Sequence, residues 1–255
     1  MGEKLEIQKK YERRIVAFVD ILGFRKKIKE TEGSDDGFNH IENLVKGFNL
    51  IEKAIRENFS QEIISGIQVS TFSDSIILSF PVEIEDALFH TVNTLSWLQM
   101  NLLFQNQILL RGALTIGDIL HTNKIAFGPA FIKAYDLEKD AKTPRIIIDP
   151  EIIQEHKKWL EKTSTQDLEK SLSILGEQKY VLGNLGKNDM SLTSDDGDFR
   201  YIDYIKNAKA DVDDPHQYKK FLKIVSNFVQ DQLALDLPND VKEKYDWLKS
   251  KITNL

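Results

Sequence analysis

The feature that most constrains the fold is a run of five apolar residues, Ile15-Val16-Ala17-Phe18-Val19, that stops abruptly at Asp20. The run is rich in branched residues and lacks the polar alternation of a half-exposed strand, so it predicts a central strand buried on both faces. A purely structural strand would not favour an aspartate at its end. Asp20 is therefore the first candidate functional residue.

The rest of the first 150 residues shows the periodicities of further strands and helices. The predicted elements, in chain order, are a helix at 37–59, strands at 66–71 and 75–80, a helix at 83–105, a strand at 109–117, a helix at 129–139 and a strand at 145–148. The short gap between the second and third strands predicts a hairpin. This order predicts an α+β fold with a ferredoxin-like βαββαβ core, in which helices pack on one face of a mostly antiparallel sheet.

The character of the chain changes after Pro150. A charged helix is expected at 151–175, strands with an acidic loop at 193–198 are expected within 177–204, and amphipathic helices are expected at 217–235 and 240–253. No linker rich in Gly, Ser or Pro separates the two parts. We therefore expect residues 1–150 to form a catalytic core and residues 151–255 to form an α/β elaboration packed on it as one structural unit.

Composition excludes several classes of function. The net charge of −6 argues against general nucleic-acid binding, which needs a basic face. The absence of cysteine excludes disulfides, zinc–thiolate sites and thiol nucleophiles. No apolar run approaches the ~20 residues of a membrane span, and the charged start of the chain is unlike a secretory signal. The expectation is a cytoplasmic protein without a membrane or nucleic-acid partner.

Two aspartates carry the chemical prediction. Asp74 lies at the tip of the predicted hairpin, and neighbouring strands are ~4.8 Å apart, so the carboxylates of Asp20 and Asp74 converge if their strands pair. Two such groups repel each other unless a cation holds them, and hard divalent cations prefer oxygen ligands. Each residue alone has an ordinary alternative, Asp20 as a helix N-cap and Asp74 as a turn residue. The pair, followed by Gly23-Phe24, favours a two-metal site.

Four motifs in this order resemble those of class III nucleotidyl cyclases, over about residues 14–149. They are Phe18-Val19-Asp20-Ile21-Leu22-Gly23-Phe24, Phe72-Ser73-Asp74-Ser75, Leu110-Arg111-Gly112-Ala113-Leu114-Thr115-Ile116-Gly117-Asp118, and Phe127-Gly128-Pro129 with Ala134-Tyr135-Asp136-Leu137-Glu138. The resemblance implies a homodimer with two active sites at its interface. One protomer supplies the metal aspartates and the other supplies base-recognition and transition-state residues.

The resemblance also assigns roles around the first aspartate. It implies that the main-chain carbonyl of Ile21 is a further ligand of two divalent metal ions, Mn²⁺ or Mg²⁺. The turn formed by Leu22, Gly23 and Phe24 leads into a helix, and main-chain N–H groups at a helix start favour triphosphate oxygens. Arg145 and Arg111 are the candidate cations for the phosphates, because each lies in or beside an apolar strand. Either guanidinium could instead reach the surface or pair with a carboxylate.

The base end of the predicted site departs from the purine cyclases. Where that family has its transition-state Asn and Arg, this chain has Ile132 and Asp136, and at two adenine-contact positions it has Ser70 and Ile125. Ser70 and Thr71 are the candidate base-recognition residues, since small hydroxyls donate or accept hydrogen bonds. All five histidines lack metal-ligand spacing and are interpreted as surface or packing residues.

The departures fit the pyrimidine cyclases of bacterial Pycsar anti-phage defence. The resembling segments are Ser73-Asp74-Ser75, the helix with Gly128-Pro129-Ala130 and Ala134-Tyr135-Asp136-Leu137-Glu138 that is followed by Pro144-Arg145-Ile146, and Lys244-Tyr245-Asp246-Trp247-Leu248. The implied reaction converts UTP, or CTP as the alternative, to a 3′,5′-cyclic monophosphate and pyrophosphate, and a separate effector protein reads the product. A non-catalytic nucleotide sensor with the same fold is the alternative of another class. A diguanylate cyclase is disfavoured because its Gly-Gly-Asp/Glu-Glu-Phe hairpin motif is absent.

Overall fold

The computed structural model describes residues 10–32, 37–58, 64, 66–84, 87–155, 200–211 and 214–253. The helix predicted at 151–175 is described only to residue 155, and it is helical there. Most of the strand region predicted within 177–204, with its acidic loop at 193–198, lies outside the described residues.

Seven strands form a mostly antiparallel sheet within the described residues. They are β1 (Glu12–Ile21), β2 (Gln68–Phe72), β3 (Ser75–Pro81), β4 (Leu110–His121), β5 (Ala126–Phe127), β6 (Ile146–Ile148) and β7 (Arg200–Tyr201). Their order is β2-β3-β1-β4-β6-β7, with β5 paired to β4, and only the β4–β6 pair is parallel. The order of the first four strands, β4-β1-β3-β2, is that of a ferredoxin-like core. The α+β prediction is confirmed, with β1 in the interior of the sheet.

Most helices occur close to the predicted positions, but the helix at Tyr204–Asp211 was not predicted. They are α1 (Phe24–Thr31), α2 (Gly37–Asn58), α3 (Ala87–Asn106), α4 (Pro129–Glu138), α5 (Tyr204–Asp211), α6 (Pro215–Leu233) and α7 (Asn239–Thr253), with a 3₁₀ turn at Lys139–Ala141 after α4. None of the described helices is both long enough and apolar enough to span a bilayer.

Helices cover both faces of β1. The long helices α2 and α3 pack on the face that carries Ile15, Ala17 and Val19. Helix α4 packs on the opposite face, where Val16 and Phe18 meet its alanines. The prediction that helices pack on only one face of the sheet is therefore wrong. Consecutive side chains of the all-apolar strand β1 point to opposite faces, and both faces need cover.

The C-terminal helices contact the core on the far side of α3. Phe221 and Phe228 of α6 and Leu248 of α7 belong to one apolar cluster with Leu103 and Leu109. Strand β7 extends the sheet beside β6, and Trp247 of α7 packs with Tyr201 at that edge. These contacts join the described part of the region after residue 200 to the sheet.

Candidate functional site

Asp20 is the next-to-last residue of β1, and its side chain is on the face covered by α4. In the antiparallel register it lies opposite Ser75 of β3 and Arg111 of β4. Helix α1 begins at Phe24 with Gly23 as its N-cap, so Asp20 does not cap this helix. The glycine at position 23 has φ 73, a left-handed conformation that is nearly free of cost only for glycine. The chain can therefore turn sharply after Asp20 and enter the helix.

Asp74 lies in the two-residue turn between β2 and β3. Ser73, the other turn residue, has φ 57, as the mirror-image turns of tight hairpins require. The main-chain N–H of Ile21 donates to the carbonyl of Asp74 at 3.0 Å, which fixes the hairpin tip to the end of β1. The structure brings the carboxyl groups of Asp20 and Asp74 into hydrogen-bonding contact.

Asp20 is a partly buried carboxyl group with more negative than positive charge around it. Burial, as the largest cause, and the neighbouring carboxylates of Asp74 and Glu138 together raise its pKa to about 7, although Arg111 acts to lower it. A divalent cation would favour the ionised form of both aspartates, by the same attraction through which Arg111 now acts. The oxygen donors of the site are those that Mg²⁺ and Mn²⁺ prefer.

The site fits a cation that is only partly held by protein. In the described residues, no group of three or more His, Asp or Glu side chains is placed so that it could hold a metal ion. Mg²⁺ is commonly held by one or two carboxylates and completes its coordination with water and substrate phosphates. The Asp20–Asp74 pair, with the Ile21 carbonyl beside it in sequence, matches that mode of binding.

Arg111 is committed to carboxylates. One of its terminal nitrogens lies 3.6 Å from Oδ2 of Asp20, and its Nε forms an ion pair with Glu138, which is buried at the end of α4. The sequence left open whether Arg111 binds phosphate or pairs with an acid, and the structure contains the second arrangement. Sequence analysis did not predict Glu138 as part of the site, although it lies in one of the four cyclase-like motifs.

A close approach of β1 and β4 makes this arrangement possible. A Cβ atom at Gly112 would lie 2.5 Å from the carbonyl oxygen of Phe18. Gly112 pairs with Val19, directly beside the Asp20–Arg111 pair. Any larger residue at position 112 would force the two strands apart at the site.

The turn after Asp20 has fewer free main-chain donors than its sequence suggested. The N–H of Leu22 donates to the carbonyl of Leu109 at 2.9 Å, and the N–H of Ile21 is used by Asp74. Gly23 and Phe24 open α1, where first-turn N–H groups have no acceptor within the helix. Among the three turn residues, these two have the amides suited to a phosphate.

Arg145 lies at the start of β6, on the same face as Arg111. Extending the β4–β6 register by one pair places it beside Arg111, two strands from Asp20 or ~10 Å at the usual strand spacing. Its Nε donates to the carbonyl of Ala141 at 3.1 Å, and its guanidinium lies 5.4 Å from the ring centre of Tyr201. Within the described residues it forms no ion pair with a carboxylate, unlike Arg111.

The two candidate base-recognition residues lie on opposite faces of β2. Ser70 pairs with Ile77 and shares its face with α4, so Thr71, the next residue, points to the other face. The Ser70 hydroxyl contacts Nε2 of His121 at 3.0 Å and the carbonyl of Thr122 at 3.3 Å. Sequence analysis interpreted His121 as a surface or packing residue. In the structure it is buried and also has a specific polar contact with Ser70.

The comparisons with known proteins give a structural likeness only. No family model and no curated protein matches the sequence. The structure is similar to the catalytic core of a rhodopsin-guanylyl cyclase with converted specificity in complex with ATPαS, at 21% identity and a TM-score of 0.46, over 57% of this chain and 81% of that chain.

Two further solved structures are similar over a comparable share of this chain. The adenylyl cyclase CyaB from P. aeruginosa has 16% identity and a TM-score of 0.38, over 55% of this chain and 78% of that chain. An adenylate/guanylate cyclase/hydrolase from Silicibacter pomeroyi has 21% identity and a TM-score of 0.39, over 60% of this chain and 83% of that chain. All three TM-scores are below 0.5, so these likenesses assign no activity to this chain.

Proposed function

We propose that this protein is a metal-dependent nucleotide cyclase that acts on a pyrimidine nucleoside triphosphate. The expected reaction converts UTP, with CTP as the alternative, to the 3′,5′-cyclic monophosphate and pyrophosphate. The observation that carries the proposal is the contact between the carboxyl groups of Asp20 and Asp74. A main-chain hydrogen bond joins the end of β1, which carries Asp20, to the hairpin tip, which carries Asp74. The pyrimidine preference is supported by Ser70 and Ile125 at positions where purine cyclases contact adenine.

The reaction forms one bond and breaks another at the α-phosphorus. The ribose 3′-oxygen bonds to phosphorus as its proton is lost to water, and the bond to the bridging oxygen breaks to release pyrophosphate. Two bound divalent ions would lower the pKa of the 3′-hydroxyl and neutralise charge on the leaving group. Asp20 and Asp74 would hold these ions, and the Ile21 carbonyl would add a neutral oxygen ligand.

Protein donors would hold the triphosphate tail. The amides of Gly23 and Phe24 face it from the start of α1, and Leu22 shapes this turn through its bond to Leu109. Arg145 has terminal nitrogens available for a bidentate contact with phosphate oxygens. Arg111 contributes by keeping Asp20 ionised and in position, rather than by binding phosphate itself.

A homodimer with its active sites at the interface is supported by exposed apolar side chains on the α4 side of the molecule. Phe72 at the hairpin is 82% exposed and Ile132 on α4 is 60% exposed. The other large apolar residues exposed in this part of the structure are Tyr11, Ile125, Phe127 and Tyr135. Exposed apolar groups in such numbers are typical of a protein interface. A second copy would bring its own Ser70 toward the Asp20–Asp74 pair of the first.

The dimer can be tested with a single charge on the exposed face of α4. Ile132→Glu is expected to give a monomer with little activity, because a charge at an apolar interface is not compensated. Leu235→Glu is the matched control, since Leu235 is 50% exposed and lies two residues after the end of α6, in a different part of the structure. Sedimentation and activity are measured together, and an Ile132→Glu protein that remains an active dimer contradicts the proposed interface.

A second candidate function, a nucleotide sensor without turnover, is favoured by one observation. Ile132 and Asp136 replace the transition-state Asn and Arg of the purine cyclases, and Asp136 is exposed and paired with Lys139. A fold that binds a triphosphate but does not stabilise its transition state would bind nucleotide without forming product. The intact aspartate pair favours the enzyme.

The deciding experiment incubates purified protein with UTP, CTP, ATP and GTP separately in Mn²⁺ and identifies products by mass. Cyclic UMP or cyclic CMP is expected. Tight nucleotide binding without any cyclic product selects the sensor, and a cyclic purine nucleotide as the main product overturns the pyrimidine assignment. If a pyrimidine product forms, we expect it to be a second messenger in anti-phage defence that a separate effector protein reads.

A further inference from the structure

A chain of polar contacts crosses the α4 face of the sheet at some distance from the aspartates. Nε of Arg14 donates to Oγ of Ser79 at 2.8 Å, and the same oxygen lies 2.8 Å from Nδ1 of His121. On the other side of the ring, Nε2 of His121 lies 3.0 Å from Oγ of Ser70, which contacts the carbonyl of Thr122 at 3.3 Å. We call these four side chains, Arg14, Ser79, His121 and Ser70, the hydroxyl–histidine network.

The order of the protons in this network follows from the chemistry of its ends. A guanidinium can only donate, so Ser79 must accept from Arg14 and direct its own proton elsewhere. Nδ1 of His121 is the acceptor within reach. The other ring nitrogen then carries the hydrogen of the neutral imidazole and donates to Ser70. The proton of Ser70 is left for the carbonyl of Thr122, which can only accept.

Burial keeps His121 in this neutral form. Only 3% of its surface is exposed, and burial, with the nearby positive charge of Arg14, lowers its pKa to about 4. Arg14 is itself buried and has further bonds to the carbonyl of Ser79 at 3.0 Å and to Glu12 at 2.9 Å. The guanidinium therefore stays in place, and the network has one satisfied arrangement of its protons.

The consequence for Ser70 is that its hydroxyl cannot rotate freely. With its proton directed to Thr122 and one lone pair taken by His121, Ser70 offers a ligand only the remaining lone pair. A free serine could donate or accept as required. Uracil has a donor at ring position 3 and an acceptor at position 4, and cytosine has the reverse. A hydroxyl fixed as an acceptor beside one of these positions therefore bonds to only one of the two bases, whereas a rotating hydroxyl bonds to either.

We propose that His121 is a positioning residue that fixes Ser70 as a hydrogen-bond acceptor and so determines which pyrimidine base the site selects. This inference rests on the proposed function, because Ser70 selects a base only if the site binds a pyrimidine nucleotide. His121 does not touch the nucleotide; it acts through Ser70. The aspartate pair and its chemistry do not depend on the network.

The test compares selection between bases in matched variants. Dissociation constants for UTP and CTP, with Ca²⁺ as the cation, are measured for the wild type, Ser70→Ala, His121→Leu and His121→Gln. In His121→Leu the ratio of the two dissociation constants is expected to move about tenfold toward 1, because the side-chain donor to Ser70 is lost. His121→Gln retains a side-chain N–H donor and is expected to recover part of the preference. His216→Gln, at an exposed histidine on α6, is the control.

Two results overturn the inference on its own. One is an unchanged preference in a folded His121→Leu protein that still binds pyrimidine nucleotide. The other is a ¹⁵N spectrum of the nucleotide-free protein that shows the His121 hydrogen on Nδ1. Binding of neither UTP nor CTP by the wild type is a different result, because it removes the proposed function and this inference with it.

Discussion

The α4 face of the sheet has two polar regions that are satisfied to different degrees. In the carboxylate cluster of Asp20, Asp74 and Glu138, Arg111 forms ion pairs with Asp20 and Glu138, and the described residues show no ion pair for Asp74. In the hydroxyl–histidine network, each proton that the contacts assign has an acceptor. Both regions lie on the same face of one sheet, so the difference does not come from the fold around them.

The difference indicates what each region is for. Excess like charge in a half-buried site costs folding free energy, and such strain is typical of sites that are completed by a ligand. A fully satisfied network contributes to stability and holds its members in one geometry. We therefore expect changes in the carboxylate cluster to affect activity more than stability. Changes at the Arg14 end of the hydroxyl–histidine network should mainly affect stability.

The largest expected effect is on turnover. Asp20→Ala or Asp74→Ala should lower the rate of product formation by about 1,000-fold or more, because metal ions contribute several kcal/mol to such transition states. Asp231→Ala, at an exposed aspartate on α6, is the matched control and should remain active. Circular dichroism should show both site variants folded. Substantial activity in either one would remove the metal role from that residue.

The second expected effect is on stability rather than on activity, and it concerns Arg14. Arg14→Met leaves the Ser79 hydroxyl and the carbonyls of Ser79 and Gly66 without their donor, which should lower the free energy of unfolding by about 4 kcal/mol. The neighbouring Arg13 pairs with Glu155 at the surface, so Arg13→Met should cost under about 1 kcal/mol. Urea denaturation measures both. Equal effects of the two changes would show that the network does not stabilise the fold.

The third effect is the pH dependence of stability through His121. Its pKa is lowered to about 4 in the folded protein, so the unfolded chain binds the proton more readily. The stabilisation that comes from keeping this ring neutral is complete above about pH 6.5 and is lost as the pH falls toward 4, by up to about 3 kcal/mol. His121→Gln should lose less stability than the wild type over that interval. Parallel pH curves for the two proteins would contradict a neutral buried imidazole.

The smallest effect is a gain of stability at the carboxylate cluster. The pKa of Asp20 is raised from 3.8 to about 7, so its ionised form opposes folding fully above about pH 7, and this cost decreases as the pH falls from 7 toward 3.8. At pH 8, Asp20→Asn should raise the free energy of unfolding by about 2 kcal/mol. Mn²⁺ should stabilise the wild type against heat and have little effect on Asp20→Asn. Equal stabilisation of both proteins would place the metal elsewhere.

Periodicity was sufficient to predict most of the sheet and its helices. The apolar run before Asp20 gave the interior strand, and the gap between the second and third strands gave the hairpin that carries Asp74. The helix predicted at 129–139 was found, but its position on the second face depends on which side chains of β1 remained uncovered. The region at 156–199 stays a prediction.

The partners within the site were harder to predict, because they depend on strand register. Glu138 meets Arg111 only because α4 packs on the same face as Asp20. His121 reaches Ser79 and Ser70 from strands that are 42 and 51 residues away along the chain. One signal was present in the sequence: Arg111 and His121 are an even number of residues apart on one strand and so share a face.

The central claim is that Asp20 and Asp74 together hold divalent ions against a triphosphate. Its most direct test is anomalous X-ray diffraction at the manganese edge, from crystals grown with Mn²⁺ and a non-cyclising UTP analogue. The account predicts two peaks ~4 Å apart, both adjacent to the two carboxyl groups and the phosphate chain. Nucleotide bound with no manganese between Asp20 and Asp74 would contradict it.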